Sequence, residues 1–462
     1  MPSPQESRQA VFESCSIPRA VASLSVPTVL SSLVSVLYSL ADTYFVGLLN
    51  DPVQTAAVTL AAPVLLAFNA FNNLFGVGSS SMMSRAYGRK DFDTLRRSSA
   101  FGFYGALLSA VLFSLLCTVF RSPLLTLLGA DPTTWAGTDG YLDWTVSLGA
   151  VPAIMNVVIA YMIRSEGAAL HASIGTMSGC LLNILLDPVF ILPWGLHLGS
   201  VGAAMATCLS NCCAMAYFLI YLALRRKTTL VCVSPRAFTL RKDIAGGVCA
   251  VGVPASVQNL LNVTGSTLLN NLAAPYAAQA LAAMGICSRI AMVPMYIALG
   301  ISQGVMPLIS YNYAGRNIRR MKEAIRFTAR LDLIALSAMA ALLFLFPGFF
   351  VGLFIDDAQT VAYGMRFLRG LALSAPLLCI DFLSVGVFQA VGMGKESLLF
   401  AILRKIVLEI PFLWLFNALF PLYGLAYAQF AAELVMAATA ATVLTRFLRR
   451  EESSPPDRTA RR

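Results

Sequence analysis

The chain has 462 residues, of which 58% are hydrophobic and only 12% are charged, and its formal net charge is +10. Ordinary soluble domains carry about 25% charged residues, so a soluble protein of this length could not bury so much apolar surface. The composition therefore excludes a soluble protein and predicts a multi-pass integral membrane protein. The basic residues cluster between long apolar runs, which is typical of positions beside a membrane. This pattern predicts contact with membrane lipid and none with nucleic acid.

The two ends of the chain are polar. The first eighteen residues include acids and no apolar run followed by a small-residue cleavage site, so we expect a short cytoplasmic tail and no cleaved signal peptide. Residues 451–462 are rich in charge, serine and proline, and we expect them to form a disordered tail. The ten cysteines lie mostly within apolar runs and lack CxxC or zinc-type spacing, so we expect neither disulfides nor a metal centre built on them.

A helix needs about 20 mostly apolar residues to cross a bilayer. Twelve runs of the sequence satisfy this condition, and they are numbered here as spans 1 to 12. They lie at 20–48, 54–84, 97–120, 135–163, 169–193, 199–224, 244–271, 277–311, 327–355, 360–390, 397–420 and 423–448.

Basic loops follow most of the even-numbered spans. Arg89 and Lys90 follow span 2, and Arg225, Arg226 and Lys227 follow span 6, whereas the loops after the odd-numbered spans are poor in basic residues. Positively charged loops of membrane proteins stay on the cytoplasmic side. The alternation therefore predicts that both termini lie in the cytoplasm, in a protein of the cell (inner) membrane.

The two halves of the sequence repeat with a nearly constant offset. Val26-Pro27 in span 1 and Val253-Pro254 in span 7 are 227 residues apart. Gly88 and Gly315 share the offset of 227, and Gly167 with Gly392, Gly199 with Gly424 and Asn156 with Asp381 are 225 apart. Six helices repeated in the same order are related by a pseudo-two-fold axis along the membrane normal. We predict two six-helix bundles facing a central cavity, with an N-terminal lobe at 1–225, a cytoplasmic linker at 226–243 and a C-terminal lobe at 244–450.

Acidic side chains inside a span are costly, so each is a candidate for function. Asp42 lies in span 1 and Asp187 in span 5, and Asn183 shares a helical face with Asp187 because it precedes it by four residues. Pro188 lacks an N–H and so frees a backbone carbonyl, and Thr207 in span 6 offers a hydroxyl. These oxygens suit a hard cation such as Na⁺, and the carboxylates suit a proton equally well. The alternative is that the acids only form hydrogen bonds between helices.

Three further acids lie in the second half. Asp381 is in span 10, Glu409 in span 11 and Glu433 in span 12. For Asp381 a functional and a structural role are both open, whereas for the two glutamates structural contacts are favoured.

Polar and aromatic side chains interrupt three of the apolar spans. Span 2 carries Phe68 and Asn72, and spans 7 and 8 carry Gln258, Asn262, Met284 and Tyr296. Aromatic faces and methionine suit a cavity for bulky, partly apolar cations, and Asp381 is a further candidate for its lining. The alternative is that Asn and Gln hold helices together in the bilayer.

These segments resemble the multidrug and toxic compound extrusion family, the MATE transporters, in its prokaryotic DinF-like and MepA-like branch. The matching segments are PTVLSSLVSVLYSLADTYFVG, SRAYGRKD, RSEG, LLNILLDPVF, GSVGAAMATCLS and MGICSRIAMVP with LGISQGVMPLISYNYAGRN. The likeness covers roughly residues 20–448. RSEG fits the family's RxEG pattern, and Gln389 stands in the second half where the first half has Arg164.

The resemblance implies an all-α membrane fold of twelve helices, arranged as two six-helix lobes in a V. It implies export of organic cations and amphipathic drugs, coupled to inward Na⁺ or H⁺. Carried over by motif, Asp42, Asn183, Asp187 and Thr207 form the ion site of the first lobe, and Asn156 faces the same pocket. We expect no cofactor, no enzymatic activity and a monomer.

Three other functions compete with export, and the first of them, a channel, would not need a two-lobe repeat with an ion site in one half. A flippase for lipid-linked sugars, from the same superfamily, needs a basic cavity to hold a pyrophosphate, whereas we expect the basic residues of this chain to lie in loops and not within spans. A membrane-embedded enzyme needs a buried catalytic histidine or a nucleophile–base pair. His171 and His197 lie near the ends of spans and cannot pair with each other.

Overall fold

The computed structural model describes residues 4–49, 51–273 and 275–453. Within these residues the secondary structure is helical, without a β-strand. The first half contains α1 (Pro4–Glu13), α2 (Ile17–Gly47), α3 (Pro52–Phe71), α4 (Gly78–Gly88), α5 (Phe92–Val119), α6 (Arg121–Leu127), α7 (Trp135–Leu142), α8 (Ala150–Ser165), α9 (Ala169–Ile191) and α10 (Gly199–Leu224). The second half contains α11 (Lys242–Ala273), α12 (Ala278–Ala314), α13 (Ile318–Leu345), α14 (Pro347–Gly352), α15 (Ala358–Val391), α16 (Gly394–Ile402), α17 (Ile410–Leu419) and α18 (Gly424–Ser453).

Three of the predicted spans contain π-helical turns. The segment Asn72–Val77 joins α3 to α4, Asp143–Leu148 follows α7, and Leu403–Glu409 joins α16 to α17. Ten helices of the described chain are long and apolar enough to cross a membrane, and the pair Trp135–Leu148 and Ala150–Ser165 adds a span that is bent by 47°. The prediction of an all-α membrane protein is confirmed.

The described chain packs into two compact units. Unit 1 contains residues up to Val11 and Leu30–Ser256, and unit 2 contains Phe12–Val29 and the residues from Val257 onward. Each of the helices α2 and α11 therefore contributes to both units. The predicted division into lobes at the linker 226–243 stays a prediction.

The ends of the chain are more helical than the sequence indicated. The expected N-terminal tail contains α1, and α18 continues to Ser453, three residues into the expected C-terminal tail. The remainder of that tail, 454–462, lies outside the described residues.

The turns after α4 and after α12 share one geometry. Lys90 and Arg316 each have a φ of 59°, in the left-handed region, and the N–H of the next residue donates to a carbonyl five residues earlier. Asp91 and Asn317 then accept from backbone N–H groups at the starts of α5 and α13. The internal repeat is therefore visible in the local backbone as well as in the sequence.

Small residues bring α9 and α10 together in unit 1. A Cβ atom on Gly175 would lie 2.3 Å from the Phe218 ring, and one on Gly179 would lie 3.0 Å from the Ala214 Cβ. Glycine at these positions lets the two helices approach closely. Asn183 and Asp187 continue the same stripe of α9, because residues four apart share a helical face. The packing thus directs both polar side chains toward α10.

Candidate functional site

Helices α9 and α10 of unit 1 contribute the polar group around Asp187. The Asp187 side chain is 0% exposed and that of Asn183 is 2% exposed. With the Asn183 amide oriented to satisfy both neighbours, its nitrogen donates to Asp187 Oδ2 at 2.9 Å and its oxygen accepts from Thr207 Oγ1 at 3.2 Å. The predicted trio of Asn183, Asp187 and Thr207 is therefore contiguous, and α9 and α10 together hold it.

Asp42 reaches the same group from α2. It is close enough to Asp187 for the two carboxyls to interact electrostatically. Tyr38 lies one helical turn before Asp42, where its hydroxyl is in hydrogen-bonding range of Thr207. Tyr141 on α7 lies within electrostatic range of both aspartates. The four polar side chains predicted from the sequence thus lie with two tyrosines that were not predicted.

The two carboxyls have no basic partner in the part of the chain that the structure describes. Among the described residues, no lysine or arginine forms an ion pair with Asp42 or Asp187, and none is close enough to influence either one electrostatically. Two adjacent carboxylates cannot both stay ionised away from water without compensation. The arrangement therefore calls for a proton or a cation from outside the protein chain.

The chemistry of the donor set favours a hard cation or a proton. Carboxylate, amide and hydroxyl oxygens are ligands for hard ions, and Pro188 leaves the carbonyl of Ile184 without its helical N–H donor. Among the described residues there is no group of three His, Cys, Asp or Glu side chains suited to a transition metal.

Asn156 lies beside this group on α8. Its amide donates to Asn211 Oδ1 at 3.0 Å and to the Pro152 carbonyl at 2.7 Å. Asn211 follows Thr207 by one turn of α10, so Asn156 contacts the neighbouring turn. A role for Asn156 as an ion ligand stays a prediction.

The residues predicted to line a substrate cavity have varied surroundings. In unit 1, Phe68 packs edge-on against Phe113 and Asn72 lies in a π-helical turn. In unit 2, Met284 is fully buried in an apolar cluster, and Gln258 accepts a hydrogen bond from Gln389 at 3.3 Å. Asn262 and Tyr296 are partly exposed on α11 and α12. Their assignment to a cavity stays a prediction.

Asp381 belongs to a buried ion-pair network in unit 2. Arg404 Nη1 lies 3.1 Å from Asp381 Oδ2, and Arg404 Nη2 lies 2.6 Å from Glu433 Oε1. The guanidinium also stacks over the Phe382 ring at 5.0 Å. Lys405 pairs with Glu409 at 2.6 Å one turn further along. The interpretation of the basic residues as lying only in loops is therefore wrong, because Arg404 and Lys405 lie within predicted span 11.

The residues that the sequence analysis did not predict differ in how visible they are in the sequence. Tyr38 could have been found, since it precedes Asp42 by four residues and so shares its helical face. Arg404 was visible as a basic residue inside an apolar run, in LFAILRKIVLEI. Tyr141 gave no local signal, because it reaches the site from a separate helix.

The chain matches a known family in two places. The family model described as MatE matches residues 27–189 and again 254–415. The second match begins at Pro254, 227 residues after Pro27, which is the offset of the internal repeat.

Two curated relatives carry the same name. The chain is 32% identical over 433 residues to the multidrug export protein MepA of Staphylococcus saprophyticus, covering 94% of each chain. It is 33% identical over 434 residues to MepA of Staphylococcus aureus strain MRSA252, again covering 94% of each.

A solved structure shares the fold. The crystal structure of MATE in complex with MaL6 superposes with a TM-score of 0.91 at 25% identity, covering 97% of this chain and 99% of that one. The predicted twelve-helix fold of the resembled family is thereby confirmed.

Proposed function

This chain belongs to the MatE family, and we propose that it is a cation-coupled antiporter that exports organic cations and amphipathic drugs by alternating access. The coupling ion is Na⁺ or H⁺ moving inward. The ion binds at Asp42, Asn183, Asp187 and Thr207. The curated relatives are multidrug export proteins and not enzymes by name, which supports an export role.

The observation that carries this proposal is that no basic residue of the described chain pairs with Asp42 or Asp187. Both acids of the buried network in unit 2, Asp381 and Glu433, share the guanidinium of Arg404. The pair in unit 1 shares only the Asn183 amide, the Thr207 hydroxyl and two tyrosines. The Asp42–Asp187 pair therefore has charge that a mobile cation can neutralise, whereas the Asp381–Glu433 pair is neutralised within the protein.

Coupling requires the cation to favour one conformation over the other, because a ligand with equal affinity for both shifts nothing. Asp42 is on α2, whereas Asn183 and Asp187 are on α9. A cation that binds both carboxyls fixes α2 against α9, and its release lets them separate. This gives the ion different affinities for two arrangements of the same helices.

The observed basic residues do not favour the lipid-linked sugar flippase. Arg404 and Lys405 are inside a span, but their side chains are paired with carboxylates. Their charge is therefore already neutralised within the protein.

The test is gradient-driven export from proteoliposomes. With Na⁺ and pH gradients imposed separately, we expect fluorescent organic cations to be exported under one gradient. Asp42→Asn and Asp187→Asn should each lower that export about tenfold or more, because coupling free energies of the usual size correspond to such factors. Asp243→Asn is the matched control, since Asp243 is exposed and pairs with Arg241 at the start of α11. Unchanged export in both site variants would contradict the assignment.

A further inference from the structure

A buried aspartate of unit 2 has no hydrogen-bond or ion-pair partner among the described residues. Asp332 lies on α13, fourteen residues after the helix begins at Ile318 and thirteen before it ends at Leu345. Its side chain is 0% exposed. Within the described part of the chain, neither Oδ1 nor Oδ2 has a hydrogen-bond partner, and the hydroxyl of Thr328, one turn earlier, also lacks one. This carboxyl lies about 21 Å along the helix from the first residue of α13, at 1.5 Å per residue.

The surroundings of Asp332 are apolar. Leu336, one turn later on α13, belongs to a buried cluster with Ala298 of α12 and with Leu378, Cys379 and Phe382 of α15. Cys379 is the titratable group that interacts with Asp332, and its thiol donates to the Ala329 carbonyl at 3.4 Å.

No described basic residue compensates the charge of Asp332. Arg330, two residues earlier, is exposed, and α12 presents the apolar residues Met295 and Ala298 to this cluster. Lys322 lies on α13 ten residues before Asp332. There it pairs with Glu452 of α18, so its charge is already compensated. An ionised carboxylate without a partner in such surroundings costs several kcal/mol.

We propose that Asp332 binds a proton in this conformation and forms a proton site in unit 2, separate from the Asp42–Asp187 group. A proton fits better than a metal ion, because one carboxyl, one hydroxyl and a thiol are too few hard ligands for Na⁺. Binding and release of this proton add a pH-dependent step to transport. This role in transport rests on the proposed function, whereas the proton site itself does not. When the carboxyl meets water in another conformation, the proton leaves to solvent and the carboxylate remains.

The proton itself is tested by infrared spectroscopy of the purified full-length protein at pH 7. We expect Asp332→Asn to lose the carbonyl stretching band of a protonated carboxyl relative to wild type. Thr328→Val, on the same helical face, should leave that band unchanged. Loss of carboxylate bands in Asp332→Asn would overturn the proposal. Asp332→Leu is a second variant that should lose the same band. It removes a polar group from an apolar pocket, so it should fold at least as well as the wild-type protein.

The coupling is tested in proteoliposomes. We expect Asp332→Asn to lower export driven by a pH gradient about tenfold, the size of a typical coupling free energy, while equilibrium binding of the fluorescent cation changes less than about twofold. Unchanged export with an unchanged pH profile would overturn the role in transport. If the wild-type protein exports nothing under either gradient, the proposed function fails, and the infrared result still decides whether Asp332 holds a proton.

Discussion

Acids within the helices of this protein differ in how their charge is balanced. Asp381 and Glu433 face a guanidinium, Asp42 and Asp187 face hydroxyls and an amide, and Asp332 faces an apolar cluster. The side-chain chemistry is nearly the same in each case. The neighbouring helices therefore decide whether a carboxyl is a structural anchor or a site for a mobile cation.

Arg404 balances the charge of two buried acids, so its removal should have a large effect on stability. Arg404→Met leaves Asp381 and Glu433 buried without the guanidinium that pairs with both, and we expect a loss of about 3–5 kcal/mol of unfolding free energy. The measurement is thermal unfolding of the detergent-solubilised protein. The triple variant Arg404→Met, Asp381→Asn, Glu433→Gln should recover most of this loss, since it removes the acids as well.

The control for Arg404 is an exposed ion pair. Arg97 pairs with Asp93 at 2.7 Å on the surface of α5, and Arg97→Met should change stability by about 0–1 kcal/mol. Equal effects of the Arg97 and Arg404 variants would show that the buried network does not stabilise unit 2.

At the scale of helices, two spans that correspond in the repeat differ in shape, because one is bent and the other is continuous. Predicted span 4 bends at Gly149, where an added Cβ would lie 2.4 Å from the Trp144 carbonyl oxygen. Its counterpart at the 225-residue offset is Ser374, within the continuous helix α15. A backbone oxygen cannot move aside as a flexible side chain can, so glycine is required at the bend. The same repeat thus contains one broken and one unbroken helix.

Glu166, just after α8, joins three segments of unit 1. It accepts from Arg8 of α1 at 2.7 Å, from Thr229 Oγ1 at 2.8 Å and from the Leu230 N–H at 2.6 Å. Burial raises the pKa of Glu166, and Arg8 together with these hydrogen bonds opposes that shift. The glutamate of the RxEG pattern therefore anchors both the N-terminal helix and the segment after α10.

Removing this anchor should loosen both segments. We expect Glu166→Ala to cost about 3–5 kcal/mol, because it leaves Arg8, whose side chain is 13% exposed, without the carboxylate of its ion pair. Limited trypsin digestion with mass spectrometry should then detect faster cleavage after Arg8 and after Arg226. Tyr221→Phe is the comparison variant, since it keeps the Glu166 carboxylate and removes only a hydroxyl, which donates to Glu166 at 3.2 Å and accepts from Arg8 at 2.8 Å. Cleavage at the wild-type rate in Glu166→Ala would contradict the anchoring role.

At the scale of the whole molecule, the repeat also governs how the chain is shared between units. The change from unit 2 to unit 1 within α2 follows Val29, and the change from unit 1 to unit 2 within α11 follows Ser256. These positions are 227 residues apart, the offset of the repeated prolines Pro27 and Pro254. In each repeat, then, the first long helix has its two halves in different units. We call this feature the exchange of helix halves.

The sequence predicted those features that depend on composition or on fixed spacing. Hydropathy located the spans, the offset of 227 located the repeat, and spacing of four residues aligned Asn183 with Asp187 on one helical face. The sequence did not predict the exchange of helix halves or the three π-helical turns, because both depend on packing between distant segments. Asp332 was overlooked although it stands inside an apolar run, and only its buried, unpartnered environment distinguishes it.

The orientation of the whole molecule in the membrane is a prediction that its surface loops can test. Arg89 lies in the exposed basic loop after α4, and Trp194, 71% exposed, lies in the loop after α9, which contains no lysine or arginine. Basic loops stay on the cytoplasmic side, so we expect Arg89 inside and Trp194 outside. In a cysteine-free background, a membrane-impermeant maleimide added to intact cells should label Trp194→Cys and should label Arg89→Cys only after the cells are opened. Because an even number of spans separates the termini, labelling of Arg89→Cys in intact cells would place both termini outside and reverse the direction of the proposed export.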